Sequence, residues 1–347
     1  MQTSEFDLRN LPFTVIICTR DRLTVLRETV QTTLSALVDF PNARLLIVDN
    51  GSTDGTTAYL DDLSRKRASV VAVFEPTPGL YHARVRALHS VDTEIMLFID
   101  DDITVGENWP GNMISAILSH PRLGLVGSAI LPIWIGEKPS WFGDKLAENV
   151  FGLTAKDSGR QKKWRFPSYP PGGSLALRRT AFLGLYDAPE RKKLVFGWGA
   201  KAVRGGPVGG EDWDLSELYI KNGYAIDVLQ DTIVYHRTLA EKVSPAWVLE
   251  KFERDARCRV RYARVACLPY LSHRVLTLLA AFPGLLVLEQ IGRVVAPTSQ
   301  WAVTISAYSR RARGFWREMI WGVRDIRFPY YVEPAMKGRR SKAPIAK

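Results

Sequence analysis

The stretch IMLFIDDDITV, residues Ile95–Val105, decides the fold. Five apolar residues run directly into Asp100, Asp101 and Asp102, which is typical of a buried strand that ends at a polar crevice. The alternative is a solvated acidic turn. If the chain stays extended, Asp100 and Asp102 point to one side and Asp101 to the other. Adjacent carboxylates repel one another, and a divalent cation, Mg²⁺ or Mn²⁺, together with a nucleotide diphosphate would relieve that repulsion.

The flanking sequence predicts an α/β fold. Four short runs rich in Val, Ile and Leu are typical of buried parallel strands: FTVIIC, ARLLIVD, SVVAVF and EIMLFID. Helical spacing lies between them, over Leu23–Leu37, Asp54–Arg65 and Gly79–Ser90. This alternation predicts a mainly parallel sheet with crossover helices, in which ligands bind beyond the carboxyl ends of the strands. The loops expected at that edge, besides the three aspartates, are Cys18–Arg22, Val48–Gly55 and Glu75–Gly79.

Composition narrows the class of protein. The chain has 347 residues and 46 % hydrophobic content, as expected for a globular protein with a large core. Its three cysteines, Cys18, Cys258 and Cys267, form neither a disulfide framework nor a zinc pattern. The first residues lack the apolar segment of a signal peptide, so we expect a cytoplasmic protein.

Basic residues are concentrated near the C-terminus. Residues 241–347 hold 20 Lys and Arg against 8 Asp and Glu, whereas the whole chain carries a net charge of +11. After Ser244-Pro245 we expect an amphipathic helix with an arginine face and, from about residue 337, a disordered tail. Between them, the apolar segment Val275–Leu288 is too short to span a bilayer and is either a buried helical hairpin or an interfacial segment. This region either packs against the core or attaches to an anionic membrane surface. Nucleic-acid binding is not expected, because no recognised module surrounds the arginines.

Seven segments together resemble the family 2 glycosyltransferases with the GT-A fold. They are VIICTRDR, IVDNGSTDGT, PGLYHARVRAL, FIDDDI, PGGSLALRR, GGEDWDLSELYIKNGY and YHR, spread over Phe13–Arg237. The resemblance implies a Rossmann-like, mixed but mainly parallel sheet in residues 1–243, with a nucleotide-binding half at about 11–131 and an acceptor-binding half at about 132–243. Residues 244–347 would form a helical extension. It also implies inverting, metal-dependent transfer from a UDP-, GDP- or dTDP-sugar to a glycan or lipid-linked acceptor, in surface polysaccharide or glycolipid synthesis.

The resemblance also assigns roles to residues. Asp102 and Asp100 match the metal-binding DxD motif, and His236 matches a further metal ligand, although a histidine after a strand is often structural. The residues expected at the donor nucleotide are Thr19, Arg20, Asp49, Arg84, Asp100 and Asp101. The assignment of Arg84 is weakened by Val85, since the family often has Asn at that position.

The catalytic base is expected at Asp212, with Glu211 beside it. Inverting transfer needs a carboxylate that takes a proton from the acceptor hydroxyl on the face opposite the leaving group. The alternative is that both acids cap a helix N-terminus, where the helix dipole favours them. Gly172 and Gly173 would lie near the acceptor, and the glycine-rich segment Phe196–Gly210 could close over the donor.

Two other functions remain open from the sequence. A nucleotidyltransferase would also use paired acids and a metal, but it would normally carry a Gly-rich, Lys-bearing phosphate loop that VIICTRDR lacks. A non-catalytic, membrane-associated binding protein on the same fold is the second alternative, and the intact Asp100, Asp102 and Asp212 argue against it.

Overall fold

We analysed a computed structural model of the chain. It describes residues 8–143, 146, 169–186, 212, 215–216, 219–220, 222–240, 243–265, 280–295 and 299–321. The predictions for Glu211, the Phe196–Gly210 segment and the tail from about residue 337 lie outside the described residues.

Eight strands form one sheet. They are β1 (Phe13–Thr19), β2 (Ala43–Asp49), β3 (Val70–Phe74), β4 (Ile95–Asp100), β5 (Ile103–Thr104), β6 (Leu123–Ile135), β7 (Ser174–Arg178) and β8 (Ala225–Leu239). Their order is β3-β2-β1-β4-β7-β6-β8-β5. The pairs β1–β2, β1–β4, β2–β3 and β6–β8 are parallel, whereas β4–β7, β6–β7 and β5–β8 are antiparallel. The mixed, mainly parallel sheet expected from the sequence is therefore confirmed.

Helices cover both faces of the sheet. In the first half they are α1 (Leu23–Ala36), α2 (Thr56–Lys66), α3 (Leu80–His89) and α4 (Trp109–Ser119), followed by α5 (Arg179–Tyr186). In β1, Phe13, Val15 and Ile17 pack in the core on one side, and Ile16 packs in a separate core on the other. Because both faces are covered, the central strands are continuously apolar rather than alternating, which is why their sequences were easy to identify.

The parallel register brings the polar loops to one level. Cys18 lies opposite Val48 and Asp100 on the two neighbouring strands, and Asp49 lies opposite Phe74. The chain leaves β4 at Asp100 and turns before β5, so the extended alternation expected through Asp102 does not continue past Asp100. This turn changes where the next two carboxylates point.

Three further helices follow the sheet. They are α6 (Pro245–Val265), α7 (Phe282–Val295) and α8 (Gln300–Trp321), and α8 packs against both others. Phe252 of α6 and Val303 of α8 share a hydrophobic core with Phe142, which follows β6. A methyl group built on Gly314 would lie 2.5 Å from the carbonyl oxygen of Glu253, so α6 and α8 touch at the backbone. One face of the predicted basic helix therefore packs within the protein. Within the described ranges, we find no helix with the length and apolar character needed to cross a membrane.

Candidate active site

The carboxylates after β4 lie at the centre of the crevice edge. Asp101 and Asp102 are buried, whereas the side chain of Asp100 is 42 % exposed. Thr19, at the end of β1, donates its hydroxyl to Asp101 Oδ2 at 2.7 Å. Asp101 is thus held inward against β1, and Asp100 is the carboxylate of the three that faces the crevice most openly.

Arg22 relieves the repulsion between these acids. Its Nη1 lies 3.2 Å from Asp101 Oδ1, and its Nη2 donates to Asp102 Oδ2. Although burial opposes it, the two carboxylates raise the pKa of Arg22, so the guanidinium stays charged. Burial raises the pKa of Asp101 to about 6, while Arg22 and the Thr19 hydroxyl act in the opposite direction.

Arg22 is a residue that the sequence reasoning missed. The same loop was noticed, and its Arg20 was assigned to the donor nucleotide. The structure places Arg20 3.6 Å from Asp21, and a contact between Arg20 and a nucleotide stays a prediction. The available signal was that CTRDR carries a second arginine directly before α1, at the edge where the acids were expected.

His236 comes to the same acids from β8. β5 pairs antiparallel with β8, placing His236 opposite Ile103. Its Nε2 lies 3.5 Å from Asp102 Oδ2, and its Nδ1 lies 3.1 Å from the hydroxyl of Thr238. Burial lowers the pKa of His236 although Asp102 acts the other way, so the ring is neutral near pH 7. A neutral imidazole is the form that ligates metals.

A backbone network fixes the turn that carries the acids. The main-chain N–H of Arg237 donates to the carbonyl oxygen of Asp102 at 2.9 Å, and the Thr29 hydroxyl donates to that of Asp101 at 2.8 Å. The buried Arg237 guanidinium donates in turn to the Thr29 oxygen at 2.8 Å and pairs with Glu28. Because these bonds join β8, α1 and the turn, the acids are held by rigid elements.

On the other side of Asp100, two glycines allow close approach. A methyl group built on Gly173 would lie 3.4 Å from Asp100 Oδ2, and one on Gly172 would lie 3.4 Å from Asp212 Cβ and 3.8 Å from Arg84 Nη2. Arg84 is buried, and its Nη2 lies 3.8 Å from Asp100 Oδ1. The structure therefore brings together Asp100, Arg84 and Asp212 around the Gly172-Gly173 turn, although these residues are far apart in sequence.

Asp49 is already bonded within its own loop. Its two oxygens accept hydrogen bonds from the Ser52 N–H at 2.9 Å and from the Thr57 hydroxyl at 2.5 Å. The neighbouring Asn50 ties this loop to the next one, accepting from the Gly79 N–H at 2.7 Å. Asp49 thus lies at the expected edge, and a contact between it and a nucleotide base stays a prediction.

Two of the three predicted metal ligands lie next to each other. Among the described residues, no three His, Cys, Asp or Glu side chains converge as a ready-made metal site. Asp102 Oδ2 and His236 Nε2, 3.5 Å apart, offer one carboxylate and one imidazole. Mg²⁺ at nucleotide sites is commonly held by one or two protein ligands together with phosphate oxygens and water, so this pair fits such an ion.

Comparison with known proteins gives independent information. Residues 14–182 match the sequence model of the family described as Glycosyl transferase family 2. Asp212 and His236 lie beyond the matched segment.

Two curated relatives have names that describe sugar transfer or glycan synthesis. Glucosyl-dolichyl phosphate glucuronosyltransferase of Haloferax volcanii is 24 % identical over 183 residues, which cover 52 % of this chain and 57 % of that protein. Poly-beta-1,6-N-acetyl-D-glucosamine synthase of Staphylococcus epidermidis is 27 % identical over 101 residues, which cover 28 % of this chain and 24 % of that protein. The chain therefore spans little more than half of the first relative and about a quarter of the second.

A solved structure has a similar fold. It is a mannosyltransferase from Pyrobaculum calidifontis in complex with GDP-Man and Mn²⁺, with a TM-score of 0.54 and 17 % identity, and the match covers 90 % of this chain and 88 % of that one. The family model thus covers residues 14–182, just under half of the chain, and the fold is GT-A-like.

Proposed function

We propose that this protein transfers a sugar from a nucleotide-diphospho-sugar to an acceptor hydroxyl with inversion at the anomeric carbon. The observation that carries the proposal is the meeting of Asp100 and Asp212, which are far apart in sequence, around the Gly172-Gly173 turn at one end of the sheet. Asp102 follows Asp100 by two residues. Ligands of open α/β sheets bind at this end of the strands.

Asp212 is proposed as the general base. Its carboxylate takes the proton of the acceptor hydroxyl while the oxygen bonds to the anomeric carbon, and the bond from that carbon to the diphosphate breaks. The contact of Asp212 with Gly172 supports this role, because a glycine turn beside the base leaves room for the acceptor. Glu211 is proposed to act beside Asp212, and Gly172 and Gly173 to contact the acceptor.

Asp102, Asp100 and His236 are proposed to hold Mg²⁺ or Mn²⁺. When bound, such an ion offsets the negative charge that develops on the leaving diphosphate. The neutral imidazole of His236 and the carboxylate oxygen of Asp102, 3.5 Å apart, suit a divalent cation. Arg84, whose Nη2 lies 3.8 Å from Asp100 Oδ1, is proposed to bind phosphate oxygens, since an arginine recognises them through several N–H donors.

The donor nucleoside is proposed to lie over the ends of β1 and β2. Thr19, Arg20, Asp49 and Asp101 were expected there. The bond from Thr19 to Asp101 supports an indirect part for Asp101, which would hold Thr19 in place. UDP-, GDP- and dTDP-sugars are the candidate donors. The names of the two curated relatives favour a glycan or lipid-linked acceptor and a part in glycan synthesis. A part in surface polysaccharide or glycolipid synthesis stays a prediction.

Nucleotide release from a panel of UDP-, GDP- and dTDP-sugars tests the proposal. Asp212→Asn should slow release by about 10²-fold to 10⁴-fold while binding of the free nucleotide is unchanged, because only the proton acceptor is lost. Asp62→Asn is the matched control, since Asp62 is exposed on α2 and pairs with Lys66. If Asp212→Asn released nucleotide as fast as the Asp62→Asn control, Asp212 would not be the base.

A further inference from the structure

Helix α7 buries a charged residue and exposes aliphatic ones, which is the reverse of the arrangement expected for a helix surrounded by water. Glu289 is fully buried and accepts a hydrogen bond from the Ser309 hydroxyl at 2.5 Å, with Arg313 Nη2 3.9 Å away. Gly292 is also buried, and a methyl group there would lie 3.0 Å from Ala302 Cβ. The side of α7 that faces α8 thus contains a carboxylate and a glycine.

The opposite side of α7 exposes mainly aliphatic side chains, together with the amide of Gln290. Val287, Ile291 and Val294 follow one another at spacings of four and three, and they are 60 %, 46 % and 85 % exposed. Leu288 adds to this stripe. Leaving aliphatic side chains in water while burying a carboxylate opposes the hydrophobic effect, so the stripe should face a medium other than water.

Trp301 of α8 lies at the contact between α7 and α8 and is partly exposed. A methyl group built on Gly292 would lie 3.1 Å from its indole ring, and 47 % of the residue is exposed. Tryptophan favours the headgroup level of a bilayer, where an apolar ring with one N–H donor is partly hydrated.

Charge discriminates between the two most plausible occupants. The C-terminal region from residue 241 holds 20 Lys and Arg against 8 Asp and Glu. A second copy of this chain would bring the same excess of positive charge, and like charges repel. An anionic bilayer offers both an apolar layer for the stripe and negative headgroups for the arginines.

We propose that the stripe formed by Val287, Leu288, Ile291 and Val294, with Trp301 beside it, is a docking face for an anionic membrane surface. α7 lies along the membrane plane with Glu289 turned inward to α8. This inference does not depend on the donor or on the chemistry at Asp212. The α6 face with Phe252 remains packed within the protein, so docking requires no unpacking of the helices.

Flotation of the full chain with lipid vesicles tests the proposal. The vesicles contain phosphatidylcholine alone or phosphatidylcholine and phosphatidylglycerol in equal parts. Wild type should float with the anionic vesicles and much less with the neutral ones. The partition of the variant Val287→Ser/Ile291→Ser/Val294→Ser into the anionic vesicles should fall by at least about tenfold, because three apolar contacts with the bilayer are lost. Val38→Ser is the control, since Val38 is 78 % exposed after α1, and it should float like wild type.

Three results would overturn the proposal. In the first, wild type floats with neither kind of vesicle. In the second, the triple variant floats like wild type. In the third, sedimentation equilibrium shows that wild type is a dimer and that the triple variant is a monomer. The last result would make the stripe an interface between copies. If the triple variant has a lower melting temperature than wild type, flotation of the single variant Val294→Asp provides a second, independent test. Nucleotide binding by each variant, measured in parallel, separates a failure of docking from a failure of the proposed transferase function.

Discussion

Replacing Arg237 by methionine should destabilise the turn that carries the acids. The Arg237 guanidinium is buried at the junction of β8 and α1, where it donates to the Val25 carbonyl oxygen and the Thr29 hydroxyl and pairs with Glu28. Methionine keeps most of the apolar stem but supplies no hydrogen-bond donor. The substitution therefore isolates the polar contribution of the side chain.

The magnitude follows from the three partners. Glu28 is 60 % exposed, so its pairing contributes at most about 1 kcal/mol. The other two bonds have a charged donor; the one to Thr29 is buried and the one to Val25 is partly buried, and each contributes about 1.5 to 3 kcal/mol. Thr29 still donates to the Asp101 carbonyl oxygen after the change, which limits the loss. We expect the free energy of unfolding to fall by about 3 kcal/mol.

Urea unfolding followed by tryptophan fluorescence measures this loss. Arg44→Met is the matched control, because Arg44 lies 3.7 Å from Asp92 with both side chains exposed, and its effect should stay within about 0.5 kcal/mol. A second comparison uses Glu28→Gln on each background, and the coupling energy should be below about 1 kcal/mol. If Arg237→Met cost no more than Arg44→Met, the buried network would not hold the turn.

Three further predictions concern the acids and the helices. Arg22→Met should raise the carboxyl pKa of Asp101 further above about 6, as seen by carbon NMR, because the opposing cation is lost; an unchanged pKa would contradict the pairing. With the folded pKa near 6 against 3.8 ordinarily, Asp101 contributes stability below about pH 4 that is lost as the pH rises through about 6. Relative to Asp101→Asn, the wild-type free energy of unfolding should thus fall by up to about 3 kcal/mol across that range, and a constant difference would refute it. Gly314→Ala should lower the free energy of unfolding by at least about 1 kcal/mol, because its methyl group would lie 2.5 Å from the Glu253 carbonyl oxygen. Gly284→Ala is the control and should not change stability, because its methyl group would meet nothing within 4 Å. Equal melting temperatures of the two variants in thermal unfolding would disprove the close packing.

The sheet could be predicted from the sequence because its signal is local. A strand buried on both faces must be apolar at nearly every position, as in FTVIIC, and the polar residues after it then mark the crevice edge. The helices after these strands began and ended within two residues of the expected positions. Strands buried on both faces can therefore be predicted from their own sequence.

The contacts that define the site are not local. Arg22 and Asp102 are 80 residues apart in sequence, and nothing in CTRDR reveals which of its two arginines reaches the acids. The Asp101 carboxylate points inward because it accepts a hydrogen bond from Thr19 and pairs with Arg22. The extended pattern of the sequence could not predict these contacts. The sequence predicted a metal as the neutralising charge, and the structure shows that an arginine provides part of it.

The orientation of α7 could not be predicted from the sequence either. Leu285 to Leu288 are all apolar, so the pattern does not say which side faces water. The burial of Glu289 depends on Ser309 and Arg313, which lie on the next helix. The sequence could therefore propose an interfacial segment, whereas the identity of its exposed residues needed the structure.

Calorimetric binding of UDP, GDP and dTDP to wild type and to Asp102→Ala tests the donor site most directly. Each titration is run with Mn²⁺ and with EDTA, and Asp62→Ala serves as the control for loss of an exposed carboxylate. One nucleotide should bind wild type and the control with Mn²⁺ at least about tenfold more tightly than with EDTA, and Asp102→Ala should lose that gain. Equal binding with Mn²⁺ and EDTA, or no binding of any nucleotide, would contradict a metal-dependent donor site at Asp102.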